Sequence, residues 1–177
     1  TALAVAFAAR HDVALWARDA AQVADMARAR ANPRYLPGIA FPPGLATVAE
    51  FPAAVAGTGL LVLAAPLAGF RESLQRLRDA GLATPFLWVC KGLEAGTGLL
   101  PHQVAAQVLP GVPCGVLTGP SFAEEVARGL PTAITLASAD AAFAARTAEA
   151  LHGGKLRIYV NDDVIGAEVG GAVKNVL

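Results

Sequence analysis

The sequence predicts an α/β protein in which helices cover both faces of a mainly parallel β-sheet. Two observations lead to this expectation. Short apolar runs alternate with helix-forming segments along almost the whole chain. Most of these runs are also apolar along their entire length, and strands with that pattern are buried on both faces, as in parallel sheets.

Composition supports a folded globular protein. The 177 residues are 55% hydrophobic and 16% charged, which excludes a disordered chain. The 14 basic and 14 acidic side chains cancel, so we expect neither a nucleic acid nor a membrane surface as partner. No apolar run reaches the roughly 18 residues of a membrane span, and no secretory signal is recognisable.

The cysteines and histidines suggest no metal or nucleophilic site. Cys90 and Cys114 lack the spacing of metal ligands, so we expect no disulfide framework, no bound metal and a reducing, cytoplasmic location. His11, His102 and His152 share no helix face and no catalytic spacing, so we predict no role for them.

The sequence opens at Thr1 with residues typical of the middle of a helix, without a capping residue, and a strand over residues 11–17 follows. Asp19 is a suitable N-cap for a helix that runs to about Ala31. Residues 32–46 contain most of the proline and glycine breakers of this region and predict a long ordered loop.

A weak strand near Thr47 and a short helix over residues 51–56 follow. Residues 60–65 form the clearest buried strand, which Pro66 ends, and residues 68–80 are predicted to be helical. The remaining predicted elements are strand 86–90, helix 99–109, strand 115–118, helix 121–129, strand 132–136, helix 139–151, strand 156–160 and a helix from Val164.

Residues that directly follow strands are the first candidates for function, because ligands of such sheets bind beyond the carboxyl ends of the strands. These candidates are Arg18, Pro66, Lys91-Gly92 and Gly119-Pro-Ser121. Lys91 places a cation at this edge, although a strand-end lysine is also a common surface residue.

The segment Gly119-Pro-Ser-Phe-Ala-Glu-Glu125 leads from a strand into a helix. Glycine lets the backbone approach a ligand closely, and Ser121 with the free N–H groups of the first turn suits an anion. An ordinary helix start, with Ser121 as N-cap and Glu124 completing a capping box, explains the same residues.

Arg18 directly follows the strand over residues 11–17, which corresponds to the second strand of a dinucleotide-binding fold. An arginine there accommodates a 2′-phosphate, whereas an acid binds a ribose hydroxyl. Asp19 follows directly, so the preference for NADP(H) is slight, and a plain surface charge remains the alternative.

The last segment, Val164–Leu177, is an apolar, glycine-rich helix that contains Lys174 and then Asn175. A poorly solvated ammonium group needs a partner or a function. The alternative is that the stem of Lys174 packs while its charge reaches water.

Five segments together resemble the bacterial NAD(P)-dependent glycerol-3-phosphate dehydrogenases, over essentially the whole chain. They are Asn32-Pro-Arg-Tyr-Leu-Pro-Gly38, Lys91-Gly-Leu-Glu94, Gly119-Pro-Ser-Phe-Ala-Glu-Glu125, Leu130-Pro-Thr-Ala133 and Gly166-Ala-Glu-Val-Gly-Gly-Ala-Val-Lys-Asn-Val176. The resemblance implies a Rossmann-like doubly wound domain over residues 1–160 and the start of a helical substrate domain over 161–177. It also implies reversible transfer of hydride between NADPH or NADH and dihydroxyacetone phosphate, giving sn-glycerol 3-phosphate for phospholipid synthesis.

The resemblance assigns roles by position. Lys174 matches the catalytic lysine, which exchanges a proton with the substrate oxygen. Lys91 matches a second lysine that contacts both substrate and cofactor. The other matches are Gly119, Ser121 and Asn175 to substrate-binding positions, and Arg18, Pro66 and Ala123 to cofactor-binding ones.

Two parts of the family pattern have no counterpart in these residues: the first strand with its glycine-rich loop, and nearly all of the helical domain. We therefore expect the polypeptide of residues 1–177, taken alone, to bind cofactor weakly and to turn over little. The family commonly forms homodimers. A 3-hydroxyacid or ketopantoate-type reductase and a catalytically inert nucleotide-binding fragment are the alternative interpretations.

Overall fold

The computed structural model of the chain describes residues 1–173. Its α-helices are α1 (Ala2–Phe7), α2 (Ala20–Ala29), α3 (Phe51–Val55), α4 (Phe70–Asp79), α5 (Pro101–Val108), α6 (Ala123–Ala127), α7 (Ala141–Leu151) and α8 (Val164–Val173). Its strands are β1 (Val13–Trp16), β2 (Ala31–Asn32), β3 (Leu36–Ala40), β4 (Leu45–Val48), β5 (Leu61–Leu63), β6 (Phe86–Trp88), β7 (Cys114–Thr118), β8 (Thr132–Ala137) and β9 (Leu156–Asn161). A 3₁₀ turn, Leu67–Gly69, precedes α4.

The chain forms two compact units. The first contains Thr1–Thr58, Ser121–Thr132 and Gly153–Arg157, and the second contains Gly59–Pro120, Ala133–His152 and the residues from Ile158 onward. The predicted division into residues 1–160 and 161–177 remains a prediction.

The second unit is built on a sheet of strand order β5-β6-β7-β8-β9. Strands β5, β6 and β7 pair in parallel, and β8 runs antiparallel to β7. Together with the parallel pair β1–β4 of the first unit, these pairings confirm the prediction of an α/β protein with a mainly parallel sheet.

The core of the second unit is centred on β6. Phe86, Leu87 and Trp88 are all buried, because β6 has a strand on each side and helices packed around it. Phe70 of α4 meets the Trp88 ring with their centroids 5.9 Å apart, a separation typical of packed aromatic pairs. Strand β5 was expected to be buried, but Leu61–Leu63 is only half-buried because it lies at one end of the strand order.

The first unit packs α2 against the parallel pair β1–β4. A cluster of five buried residues forms its core: Ala8, Val23, Met26, Phe41 and Leu45. Asp19 caps α2 as predicted, since its carboxylate accepts hydrogen bonds from the N–H groups of Ala21 at 3.0 Å and Gln22 at 3.3 Å.

The prediction of a long loop over residues 32–46 is wrong in part. Strands β2 and β3 form an antiparallel hairpin there, and β4 begins at Leu45. Arg30 makes this possible, because its φ of 47° turns the chain at the end of α2. Its guanidinium then donates hydrogen bonds to the carbonyl oxygens of Leu45 and Pro42, each at 2.8 Å. These long-range contacts hold a segment that proline and glycine content alone marks as irregular.

Within residues 1–173, no helix combines the length and the apolar character needed to cross a membrane.

Candidate active site at the carboxyl ends of the strands

Three predicted site residues share one row at the edge of the second unit's sheet. Leu63, Trp88 and Val116 are neighbours in register on β5, β6 and β7. Pro66, Lys91 and Gly119 each lie three residues beyond one of these positions. The parallel pairing therefore places all three at the carboxyl ends of adjacent strands, where ligands of open α/β sheets bind.

Lys91 is half-buried and lies against helix α8. A Cβ atom added to Gly171 would lie 3.7 Å from both Cδ and Cε of Lys91, and 2.7 Å from the hydroxyl oxygen of Thr118. The absence of a side chain at Gly171 thus allows the α8 backbone to approach the lysine stem. Gly92, whose φ is 104°, turns the chain away directly after Lys91.

The loop that carries Lys91 is anchored through Glu94. Arg71 of α4 donates two hydrogen bonds of 2.8 Å to the two carboxylate oxygens of Glu94, and Thr97 donates a third of 2.7 Å. The Arg71 guanidinium and the Thr97 hydroxyl lower the pKa of Glu94 to about 2. Glu94 is therefore ionised at neutral pH and holds the loop against α4.

Gly119 is required for packing between strands. A Cβ atom there would lie 3.0 Å from the carbonyl oxygen of Ala133 and 3.1 Å from Cα of Ile134, both on β8. The sequence interpretation was that this glycine allows a ligand to approach the backbone. That interpretation stays a prediction, and the structure adds a second reason for glycine here, since β8 occupies the space where a side chain would lie.

A buried cluster on α8 was not predicted. Oε1 of Glu168 accepts hydrogen bonds from the indole N–H of Trp88 at 3.0 Å and from the backbone N–H of His102 at 2.9 Å. Its Oε2 lies 2.5 Å from Nδ1 of the His102 ring. The Glu168 side chain is only 2% exposed, so these three contacts supply its polar environment in place of water.

Both cysteine thiols are held in the protonated state. Burial raises the pKa of Cys90 to about 12 and that of Cys114 to about 11, and the nearby charge of Glu168 adds to both shifts. A protonated thiol is a poor nucleophile. Among the residues that the structure describes, no three histidine, cysteine or acidic side chains are grouped to hold a metal ion.

Arg18 and Asp19 lie in the first unit, directly after β1. Arg18 is exposed, whereas the carboxylate of Asp19 is occupied by capping α2. The Asp19 carboxylate is therefore committed to the start of α2.

Ser121 and Ala123 also lie in the first unit, at the start of α6. The prediction that Ser121 caps this helix with Glu124 is wrong by one residue, because the N-cap is Phe122. Glu125 accepts a hydrogen bond of 3.4 Å from the Phe122 N–H instead. The turn after Gly119-Pro120 is one residue longer than the capping-box pattern suggests, and it leaves Ser121 half-buried outside the helix.

A shallow groove along the outer face of α2 contains none of the candidate site residues. It is lined by residues of α2 and the turn after β2, including Gln22, Asp25 and Pro33. The lining mixes charged side chains with apolar ones, and we assign it no ligand.

Lys174 and Asn175, which were predicted as catalytic and substrate-binding residues, lie outside the described residues. The structure brings together Pro66, Lys91 and Gly119, and adds Thr118 and Gly171 beside the lysine. The remaining candidates, Arg18, Ser121 and Ala123, belong to the first unit.

Comparison with known families gives one match over most of the chain. Residues 1–144 match the family model described as the N-terminus of NAD-dependent glycerol-3-phosphate dehydrogenase. Two curated relatives, from Aromatoleum aromaticum and Dechloromonas aromatica, are named glycerol-3-phosphate dehydrogenase [NAD(P)+]. They are 57% and 54% identical to this chain over its full length.

Comparison with solved structures identifies the same kind of protein. The crystal structure of glycerol-3-phosphate dehydrogenase from Coxiella burnetii matches 99% of this chain with a TM-score of 0.93 and 38% sequence identity. The chain spans about half the length of these proteins, covering 54% of each curated relative and 54% of the Coxiella chain.

Proposed function

Because this chain belongs to the NAD-dependent glycerol-3-phosphate dehydrogenase family, we propose that the protein interconverts dihydroxyacetone phosphate and sn-glycerol 3-phosphate with NADPH or NADH. The resemblance of the motifs around Lys91, Gly119 and Gly166 pointed to the same reaction. Its product is a precursor for glycerophospholipids, and we propose a cytoplasmic location for the enzyme.

The proposed chemistry needs one proton and one hydride. The bound dinucleotide supplies the hydride that adds to the carbonyl carbon. Lys174, as an ammonium ion, donates a proton to the carbonyl oxygen, and in the reverse direction the neutral amine takes the hydroxyl proton. The Lys91 ammonium stabilises the negative charge that develops on that oxygen.

The cations among the candidate residues suit a phosphate-bearing substrate and cofactor. We propose that Lys91 and Asn175 contact the substrate together with Gly119 and Ser121. We propose that Arg18 contacts the adenosine end of the dinucleotide and that Pro66 and Ala123 contact other parts of it. Arginine and lysine are well suited to phosphate oxygens, because they donate charge-assisted hydrogen bonds.

The observation that supports this proposal most is the common row of Pro66, Lys91 and Gly119 at the carboxyl ends of β5, β6 and β7. Lys91 is half-buried at that edge, lies against α8, and stands three residues before Glu94, which Arg71 binds. A lysine held in this way suits the stabilisation of an oxyanion.

The test is a steady-state assay of NADPH oxidation with dihydroxyacetone phosphate. In the full-length protein we expect activity in the wild type, loss of at least about a hundredfold in kcat for Lys174→Ala, and unchanged activity for Lys155→Ala. Lys155 is an exposed turn lysine and serves as the matched control.

A substrate panel separates the alternatives. Reduction of ketopantoate or of 3-oxoacids in preference to dihydroxyacetone phosphate would identify a related reductase. Binding of NADPH without turnover of any of these ketones would identify an inert module. We also propose a homodimer, which light scattering of the purified protein would test.

A further inference from the structure

Helix α8 has a weak intrinsic tendency to be helical. Its sequence contains Gly166, Gly170 and Gly171 together with β-branched valine and isoleucine, all of which are poorer helix formers than alanine. Asp163 supports its start by accepting a hydrogen bond of 2.8 Å from the N–H of Gly166. The position of the helix must therefore be set by tertiary contacts.

Glu168 supplies a contact of this kind. Its carboxylate joins three elements, because it accepts hydrogen bonds from Trp88 at the end of β6 and from His102 in the first turn of α5. Leu100, the N-cap of α5, has no side chain that can accept a hydrogen bond, so the acid on α8 takes part of the capping role. A negative charge at a helix N-terminus is also favourable.

One turn after Glu168, helix α8 lies against Lys91. Gly171 lies three residues after Glu168 and thus on the same side of α8. The backbone there approaches Thr118 and the Cδ and Cε atoms of Lys91. Trp88, which donates a hydrogen bond to Glu168, is the last residue of β6, and Lys91 lies three residues after it.

We propose that Glu168 is a positioning residue for Lys91. By accepting hydrogen bonds from Trp88 and His102, it fixes α8 in the place where the turn at Gly171 backs the lysine stem. The direction of the Lys91 ammonium then depends on a carboxylate that does not itself contact the substrate. This inference rests on the proposed function, in which Lys91 stabilises the oxyanion.

A double-mutant cycle in the full-length protein tests the inference. The variants are Glu168→Ala, Lys91→Met and the two combined, with kcat for dihydroxyacetone phosphate measured per folded molecule. We expect Glu168→Ala to lower kcat by about tenfold to a hundredfold. In the Lys91→Met background the same substitution should change kcat by less than about threefold, because the positioned group is gone.

Several outcomes overturn the inference. An unchanged kcat in Glu168→Ala does so, as does an equal loss in the presence and absence of Lys91. A wild-type protein that reduces no dihydroxyacetone phosphate would overturn the proposed function and this inference with it. If Glu168→Ala fails to fold, Trp88→Phe enters the cycle in its place, since it removes one N–H donor and keeps an aromatic ring.

Two adjacent glycines provide a matched pair. Gly171→Ala places a Cβ atom 2.7 Å from the Thr118 hydroxyl, whereas a Cβ atom on Gly170 meets nothing within 4 Å. We expect Gly171→Ala to lower kcat by about tenfold, and Gly170→Ala to leave it within about twofold. Equal kcat values in the two variants would contradict the contact between α8 and Lys91.

Discussion

Arg71 holds Glu94 through two hydrogen bonds of 2.8 Å, three residues after the lysine at the strand edge. The pair connects α4 to the loop that starts at Lys91. The guanidinium also donates a hydrogen bond of 3.0 Å to Gln107 on α5. One side chain therefore links two helices to the loop beside the candidate site.

Arg71→Ala should loosen this loop. We expect a lower Tm and a kcat reduced by about tenfold, because small displacements of a catalytic group have large effects on rate. Arg76→Ala is the control, since its pair with Glu72 is an exposed contact on the same helix and such pairs contribute little. Equal effects of the two substitutions on kcat would contradict a specific role for Arg71.

The same pair predicts a dependence of stability on pH. The pKa of Glu94 falls from 4.5 to about 2 in the folded protein, so the folded state binds fewer protons than the unfolded state between these values. The contribution of ionised Glu94 to the free energy of unfolding is therefore fully present above about pH 4.5 and is lost as the pH falls toward about 2. Urea unfolding of wild type and Glu94→Gln should show a stability difference that shrinks below pH 4.5. A constant difference from pH 6 to pH 3 would contradict the ion pair.

Arg18→Ala should change the choice of cofactor. Asp19 is engaged at the N-terminus of α2, so we expect Arg18 to contact the 2′-phosphate of NADPH. The variant should raise the KM for NADPH by about tenfold or more and leave the KM for NADH nearly unchanged. Arg28→Ala, an exposed arginine in the last turn of α2, is the control. An equal increase in KM for NADPH and for NADH would show that Arg18 does not contact the 2′-phosphate.

The two thiols should be unreactive in the folded protein. With pKa values of about 12 for Cys90 and about 11 for Cys114, both are protonated at pH 8. Iodoacetamide labelling followed by mass spectrometry should find little modification in the native protein and two labels after denaturation. Rapid labelling of either thiol in the native state would contradict their raised pKa values.

The order and type of the elements could be predicted from the sequence because the strands are short apolar runs bounded by clear breakers. The row of Pro66, Lys91 and Gly119 follows from the same pattern once the strands are taken as parallel. The hairpin of β2 and β3 could not be predicted in this way. It depends on Arg30 contacts that reach from the end of α2 to Leu45, and such contacts leave no local pattern.

The Glu168 cluster was missed for a related reason. The spacing of His102 to the other histidines does not point to the cluster, because its partner lies 66 residues away along the chain. One signal was available in the sequence. Glu168 is an acidic residue in an apolar, glycine-rich helix, and like Lys174 it needs a partner or a function if it is buried.

The measurement that tests the central proposal most directly is the transfer of deuterium from NADPH to the product. The protein is incubated with dihydroxyacetone phosphate and NADPH that carries deuterium in both positions at nicotinamide C4, and the product is analysed by mass spectrometry. The proposed reaction predicts glycerol 3-phosphate with one deuterium on C2. Oxidation of NADPH without labelled glycerol 3-phosphate, or no oxidation at all in the full-length protein, would contradict it.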